Sequence, residues 1–201
     1  MDWPYGYAID PQVPSRSVMA KPLILVTGPS RSGKSEWAES LAISSGQPVV
    51  YVATAMANPA DAQWQARLAA HRQRRPTHWR TLEVPVALAD AVAEGNPEHY
   101  WLVDSLGTWL ANCLEQPDPV WQQTQAQFLN QLKQRQQAIA LVAEETGWGV
   151  VPAYPSGRSF RDRLGSLTRA IGAMADTVYL VVAGYAIDVR AMGQAVPTKE
   201  R

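Results

Sequence analysis

The 201-residue chain has a single cysteine, Cys113, and three histidines, His71, His78 and His99. One cysteine excludes an internal disulfide framework and a cysteine-built zinc site. Three scattered histidines exclude the paired spacing of a zinc-protease helix. Net charge is missing as well: 18 Lys+Arg balance 18 Asp+Glu, and only 18% of residues are charged. A general nucleic-acid coat needs a basic surplus to displace phosphate counterions, so neutrality argues against a nucleic-acid partner. No apolar run approaches the roughly 20 residues that span a bilayer, so no transmembrane segment is expected. Residues 1–20 lack an apolar stretch and carry Asp2, Asp10, Arg16, Pro4, Pro11 and Pro14. They read as an irregular extension, not a secretory signal. The expectation is a cytoplasmic enzyme or binding domain.

What is present is apolar content enough for a real core, 46% of residues, in a length that fits one domain. Residues 21–190 are taken as that domain and 191–201 as a tail. Short apolar runs at 23–27, 49–53, 100–104, 139–143 and 177–183 predict buried strands, and 79–84 is compatible with another. Helical patterns fall between them. One carries Trp37, Ala38, Leu41 and Ala42 and stops at Gly46. Others cover 60–72, 85–92 beginning at Pro85, 106–114, 120–137 and 160–174, with Pro117 and Pro119 read as an interruption. Uniformly apolar strands alternating with helices predict a mostly parallel sheet covered on both faces.

Gly28-Pro29-Ser30-Arg31-Ser32-Gly33-Lys34-Ser35 fits the pattern G-x-x-x-x-G-K-[ST]. Its glycines allow a tight turn whose main-chain N–H groups converge on phosphate oxygens. In such a loop Lys34 reaches the outer phosphates and the Ser35 hydroxyl binds Mg²⁺. The helix that follows adds the positive end of its dipole. The context agrees, with a strand before and an amphipathic helix after. Asp104 closes an apolar strand, where a carboxylate holds the Mg²⁺ shell from across the loop. Its other reading is a helix cap, a role that Ser105 can fill instead.

Arg67, Arg72, Arg74, Arg75 and Arg80 fall within 14 residues, beside His71 and His78, and no Asp or Glu occurs between Asp61 and Glu83. A solvated basic face is the common meaning of such a run. The competing meaning is a site for outer phosphates, in which neighbouring positive charge keeps His71 neutral and nucleophilic. His78 and His99 have no comparable context and read as surface or packing residues.

These segments together resemble the bifunctional adenosylcobinamide kinase/adenosylcobinamide-phosphate guanylyltransferase family of cobalamin biosynthesis. The matching stretches are TGPSRSGKSEWAESLA (27–42), VVYVATA (49–55), RLAAHRQRRPTHWRTLEVP (67–85), LVDSLGTWLANCL (102–114), GWGVVP (147–152) and SFRDRLG with MADTVYLVVAG (within 159–184). They keep the family's order. The phosphate loop is common to many NTPases, but HRxRRPxxWRTxE followed by LVDxLxxWL is far more specific. The resemblance and the loop imply a P-loop NTPase-type three-layer α/β sandwich with a mostly parallel, RecA-like central sheet.

The resemblance further implies two reactions. A kinase phosphorylates the hydroxyl of adenosylcobinamide's aminopropanol arm with ATP or GTP. GTP then gives GMP to an enzyme histidine, and the phosphorylated corrinoid takes the GMP to form adenosyl-GDP-cobinamide. The family's guanylylated histidine precedes the RRP-type segment, a position held here by His71. Nucleotide contacts carry over to the loop 28–35, to Thr54, Ala55 and Met56, to Arg72, Gln73 and Arg74, and to Glu83 and Asp104. Mg²⁺ is the implied cofactor, held by Ser35 and Asp104, partly through water. The implied assembly is a homo-oligomer, a trimer.

The chain departs from the family pattern at Asp61-Ala62-Gln63-Trp64, at Ala143-Glu144-Glu145-Thr146-Gly147, and at Thr168-Arg169. The first two bear on the corrinoid pocket or the kinase half. Two alternatives make different predictions. A single-activity P-loop kinase depends on Lys34 and is indifferent to His71, and a non-catalytic nucleotide sensor binds GTP without turnover.

Overall fold

The computed structural model describes residues 21–56 and 60–197, apart from the side chain of Arg67. The extension predicted over 1–20 lies outside the described residues. Among the described residues seven strands form one sheet: β1 (Leu23–Gly28), β2 (Val49–Ala53), β3 (Arg80–Glu83), β4 (Tyr100–Asp104), β5 (Ala138–Glu144), β6 (Thr177–Val182) and β7 (Tyr185–Asp188). Their spatial order is β3-β2-β4-β5-β1-β6-β7. Every neighbouring pair is parallel except the terminal hairpin β6–β7. β1, which feeds the phosphate loop, therefore has β5 on one side, and β5 separates it from β4 and Asp104.

The helices are α1 (Lys34–Ser44), α2 (Ala62–Arg74), α3 (Leu88–Ala93), α4 (Leu106–Asn112), α5 (Asp118–Gln134), α6 (Pro155–Met174) and α7 (Val189–Met192). Alternation along the strands sorts the core into two layers. On one face Leu23, Leu25, Val50, Val52, Trp101, Val103, Ile139 and Leu141 meet α3 through α6, with Trp109, Phe128, Leu132, Leu164 and Ile171 at the centre. On the other face Val26, Tyr51, Tyr100, Leu102, Ala140 and Val142 meet Ala38 and Ala42 of α1. This is the RecA-like three-layer α/β sandwich expected from the sequence. The strands buried on both faces are the ones with unbroken apolar runs.

Several predicted boundaries move. Pro117 and Pro119 do not interrupt a helix: Pro117 is the N-cap of α5 and Pro119 lies in its first turn, where the missing proline N–H has no helical partner to lose. α6 starts at Pro155, five residues before the predicted 160, for the same reason. Pro85 begins no helix, and α3 opens only at Leu88. The hairpin strand β7 has no counterpart in the sequence reading. Gly184 makes its turn with a left-handed φ of 82°. Among the described residues no helix is long and apolar enough to cross a membrane.

Candidate active site

The loop after β1 packs so closely that a Cβ on Gly28 would lie 2.2 Å from the Val181 carbonyl oxygen. Arg31 and Gly33 both adopt left-handed backbone, φ 59° and 97°, which turns successive N–H groups inward. Gly184 N–H donates to the Ser32 carbonyl over 3.1 Å, fastening the loop to the β6–β7 turn. Lys34 opens α1, is 7% exposed, and donates from Nζ to the Pro29 carbonyl at 3.3 Å. The lysine thus closes the loop upon itself. The Ser32 hydroxyl is buried there with no hydrogen-bond partner. A buried hydroxyl without a partner, in a turn with left-handed backbone at Arg31 and Gly33, fits a loop that binds an anion.

At the end of β4, Ser105 caps α4: its side chain accepts from Thr108 N–H. That leaves the neighbouring carboxylate for other work. Asp104 Oδ2 accepts from the Tyr51 hydroxyl at 2.8 Å and stands 3.9 Å from His71 Nδ1. Burial, followed by the Asp104 charge and hydrogen bond, pushes the Tyr51 phenol far above its ordinary range, so it remains a donor. Arg75 lies over the Tyr51 ring, 4.0 Å from its centroid, a cation–π contact that steadies the donor.

His71 rides on α2, which Asp61 caps by accepting from Trp64 N–H at 2.9 Å. The first departure from the family pattern therefore supplies a helix start. The basic run is paired rather than merely solvated. Arg72 meets Glu83 at 3.2 Å, Arg74 meets Glu36 at 2.5 Å and Glu39 at 3.2 Å, and Arg75 donates to Thr81. Arg74 Nη2 also lies 3.3 Å from His71 Nδ1. His71 keeps 28% of its side chain accessible.

The predicted residues are not equally placed. Thr54 is fully buried. Its hydroxyl donates to the Ser105 carbonyl and accepts from Ser105 N–H, and its own carbonyl takes Asn112 Nδ2. Its side chain is therefore committed to holding the β4–α4 turn. Met56 is exposed and its carbonyl accepts from Trp64 Nε1. Glu83 is largely exposed and borders a cavity of about 430 Å³ beside α3, away from the phosphate loop. His99 lines a smaller cavity at the same sheet edge, with Arg80 and Trp101.

The sequence reading missed Tyr51, Glu36, Glu39 and Glu144. Tyr51 was findable only with the strand register, which pairs Ala53 with Asp104 and so sets Tyr51 two residues back on the same face. Glu144, part of the second departure, accepts from Ser105 Oγ at 2.5 Å and Gly107 N–H at 2.9 Å, bracing the start of α4.

The profile of one protein family, cobinamide kinase / cobinamide phosphate guanyltransferase, matches residues 24–189. The chain belongs to this family. Its relatives include the bifunctional adenosylcobalamin biosynthesis protein CobP of Pseudomonas aeruginosa, 43% identical over 162 residues, which span 80% of this chain and 92% of that protein. The corresponding CobU protein of Escherichia coli strain K12 is 36% identical over 183 residues, spanning 84% and 99%. Among solved structures, a protein of Pyrococcus horikoshii OT3 aligns with a TM-score of 0.53 at 8% identity, covering 84% of this chain and 86% of that one, a likeness of fold alone. Within the chain, the phosphate loop and the helix that carries His71 lie at one end of one sheet.

Proposed function

We propose that this chain phosphorylates adenosylcobinamide with ATP or GTP and then transfers GMP from GTP through His71 to the product, giving adenosyl-GDP-cobinamide. The observation that carries this reading is the approach of His71 Nδ1 to within 3.9 Å of Asp104, at the same end of the sheet as the phosphate loop.

In the kinase step the corrinoid's hydroxyl oxygen forms a bond to the γ-phosphorus while the bond from that phosphorus to the β,γ-bridging oxygen breaks. Its electron pair leaves with the nucleoside diphosphate, and the hydroxyl proton passes to water. Lys34 exchanges the Pro29 carbonyl for phosphate oxygens. In the guanylyl step an imidazole lone pair of His71 forms an N–P bond to the α-phosphorus of GTP. The bond from that phosphorus to the bridging oxygen breaks, and its electron pair leaves with pyrophosphate. Asp104 lies beside the imidazolium so formed and stabilises it. An oxygen of adenosylcobinamide phosphate then attacks the same phosphorus, and the N–P electron pair returns to the imidazole. One hard transfer becomes two easier ones.

Mg²⁺ fits the donors present. It is typically held by one or two protein oxygens plus substrate phosphates, and among the described residues no cluster of three His, Cys, Asp or Glu offers a cage of protein ligands alone. Ser35 and Asp104 would hold it, where it neutralises charge on the departing phosphates. Further nucleotide contacts are the main chain of 28–35 and of Thr54, Ala55 and Met56, with Arg72, Gln73 and Arg74, and Glu83 on ribose or base. Exposed Trp148, Val150, Val151 and Tyr154, in the loop that leaves β5 next to β1, support an acceptor with a broad apolar body. The chain is read as a cytoplasmic homo-oligomer, a trimer by family resemblance, with no nucleic-acid partner.

The test is incubation with α-labelled GTP and Mg²⁺. An acid-labile, base-stable protein adduct is expected, absent in His71→Ala, while that variant retains phosphoryl transfer to adenosylcobinamide. No adduct on the native protein overturns the histidine step. A sensor without activity is overturned by turnover of either kind.

A further inference from the structure

Glu39 takes no part in the chemistry above, yet it is a carboxylate only 8% exposed, on the α1 face that packs on the sheet through Ala38 and Ala42. Burial in so dry a place disfavours the charge and raises its pKa to about 7, opposed by Arg74 and reinforced by Asp104 and Glu36. A carboxylate is kept in such a place only with a partner, and the partner is Arg74 Nη2 at 3.2 Å.

Arg74 has three neighbours at once. Nη1 donates to Glu36 at 2.5 Å, Nη2 donates to Glu39, and the same Nη2 stands 3.3 Å from His71 Nδ1. Residues 36 and 39 share one face of α1, and 71 and 74 share one face of α2, each pair three apart. The planar guanidinium therefore spans two helices and ends on the imidazole, which a lysine's point charge does not reproduce.

α2 needs such a device. None of its described side chains is buried, and Trp64 and Leu68 are only half-buried. A helix without a buried apolar face is not placed by the core. Directional contacts place it: Trp64 Nε1 on the Met56 carbonyl at its start, Arg72 and Arg75 towards β3 at its end, and Arg74 towards α1. Of the contacts described, Arg74 is the one that joins the turn carrying His71 to the helix that opens with the phosphate loop. Glu36 is half-exposed and holds weakly, so the buried Glu39 fixes the fork.

We propose that Glu39 is a positioning residue for guanylyl transfer: together with Glu36 it holds Arg74, and through Arg74 it orients the His71 imidazole towards the phosphate loop. This rests on the reading of His71 as nucleophile. Phosphoryl transfer does not use the histidine and does not depend on the fork, so the two half-reactions separate.

The experiment is single-turnover labelling with α-labelled GTP, alongside the kinase rate and the affinity for a fluorescent GTP analogue. Glu39→Gln is expected to slow labelling by roughly 10- to 100-fold, the order that a misplaced reactant costs. Its kinase rate and nucleotide affinity stay within about twofold of native, and Glu36→Gln slows labelling less than Glu39→Gln does. Arg74→Lys keeps the charge, loses the fork and slows labelling likewise, and its nucleotide affinity changes as well because Arg74 is itself read as a nucleotide contact. The double variant is no slower than the worse single one, as expected for one shared unit. Native labelling rates in Glu39→Gln or Arg74→Lys overturn the proposal, as does an equal loss of both half-reactions in Glu39→Gln. Absence of label on the native protein instead removes the histidine reading itself, and with it this proposal.

Discussion

The Tyr51 hydroxyl donates to Asp104 Oδ2 across 2.8 Å, from one parallel strand to its neighbour. Asp104 thereby enters the site with one oxygen oriented before any nucleotide arrives. Tyr51→Phe keeps the ring beneath Arg75 and removes only that donor. Its expected cost is about 1–2 kcal/mol of stability, together with a higher Mg²⁺ concentration for half-maximal activity. Urea melts and Mg²⁺ titrations of either half-reaction check it. An unchanged Mg²⁺ requirement would show that the tyrosine is structural alone.

Glu39 gives a pH signature. Folded, it holds its proton up to about pH 7, against an ordinary value of 4.5, because burial disfavours the charge. Folding therefore takes up a proton between those values. This contribution to stability is full below about pH 4.5 and is lost as pH rises through about 7. Over that window it amounts to about 3 kcal/mol. Urea unfolding at pH 5 and pH 8 should show a steeper decline for the native protein than for Glu39→Gln, and equal slopes would contradict the assignment.

Gly28→Ala places a methyl group 2.2 Å from the Val181 carbonyl oxygen. Backbone must move on one side or the other, at a cost of about 3 kcal/mol. Because Val181 belongs to β6, the displaced side is expected to be the phosphate loop, with GTP affinity lost in the same variant. Calorimetric melting and equilibrium nucleotide binding report the two effects separately.

Glu144→Ala removes the acceptor for Ser105 Oγ and Gly107 N–H. The start of α4 then loses two charge-assisted bonds, worth about 3 kcal/mol together at the low end of such bonds. Since that turn follows Asp104 directly, kcat for both half-reactions falls along with stability. A variant as stable as the native protein would mean that water replaces the carboxylate there.

The parts of this molecule legible in its sequence were those dictated by local chemistry. The apolar runs of β1, β2, β4 and β5 admitted one meaning because both faces of each strand are buried. Gly28 to Ser35 declared its loop through residue types that only such a turn requires, and Ser105 could be assigned as a cap from its place between strand and helix. Pro117 and Pro119 misled because proline marks a helix's first turn as readily as its end. β7 escaped because its residues alternate only briefly, at an open edge where half of them face water. Glu36 and Glu39 were visible only as ordinary helix-surface acids. Their partner lies 35 or more residues away, and nothing within α1 announces it.

The bond from Gly184 to Ser32 ties the phosphate loop to the turn that leads into β7, the last strand of the sheet. An edge strand offers unpaired main-chain groups to any extended segment that meets it. A segment pairing there and shifting that turn would alter the loop's hold on triphosphate. By thermodynamic reciprocity the triphosphate would alter the segment's hold on the edge by the same factor. Gly184 thus makes the shape of the phosphate loop and the shape of the β6–β7 turn a single geometric problem.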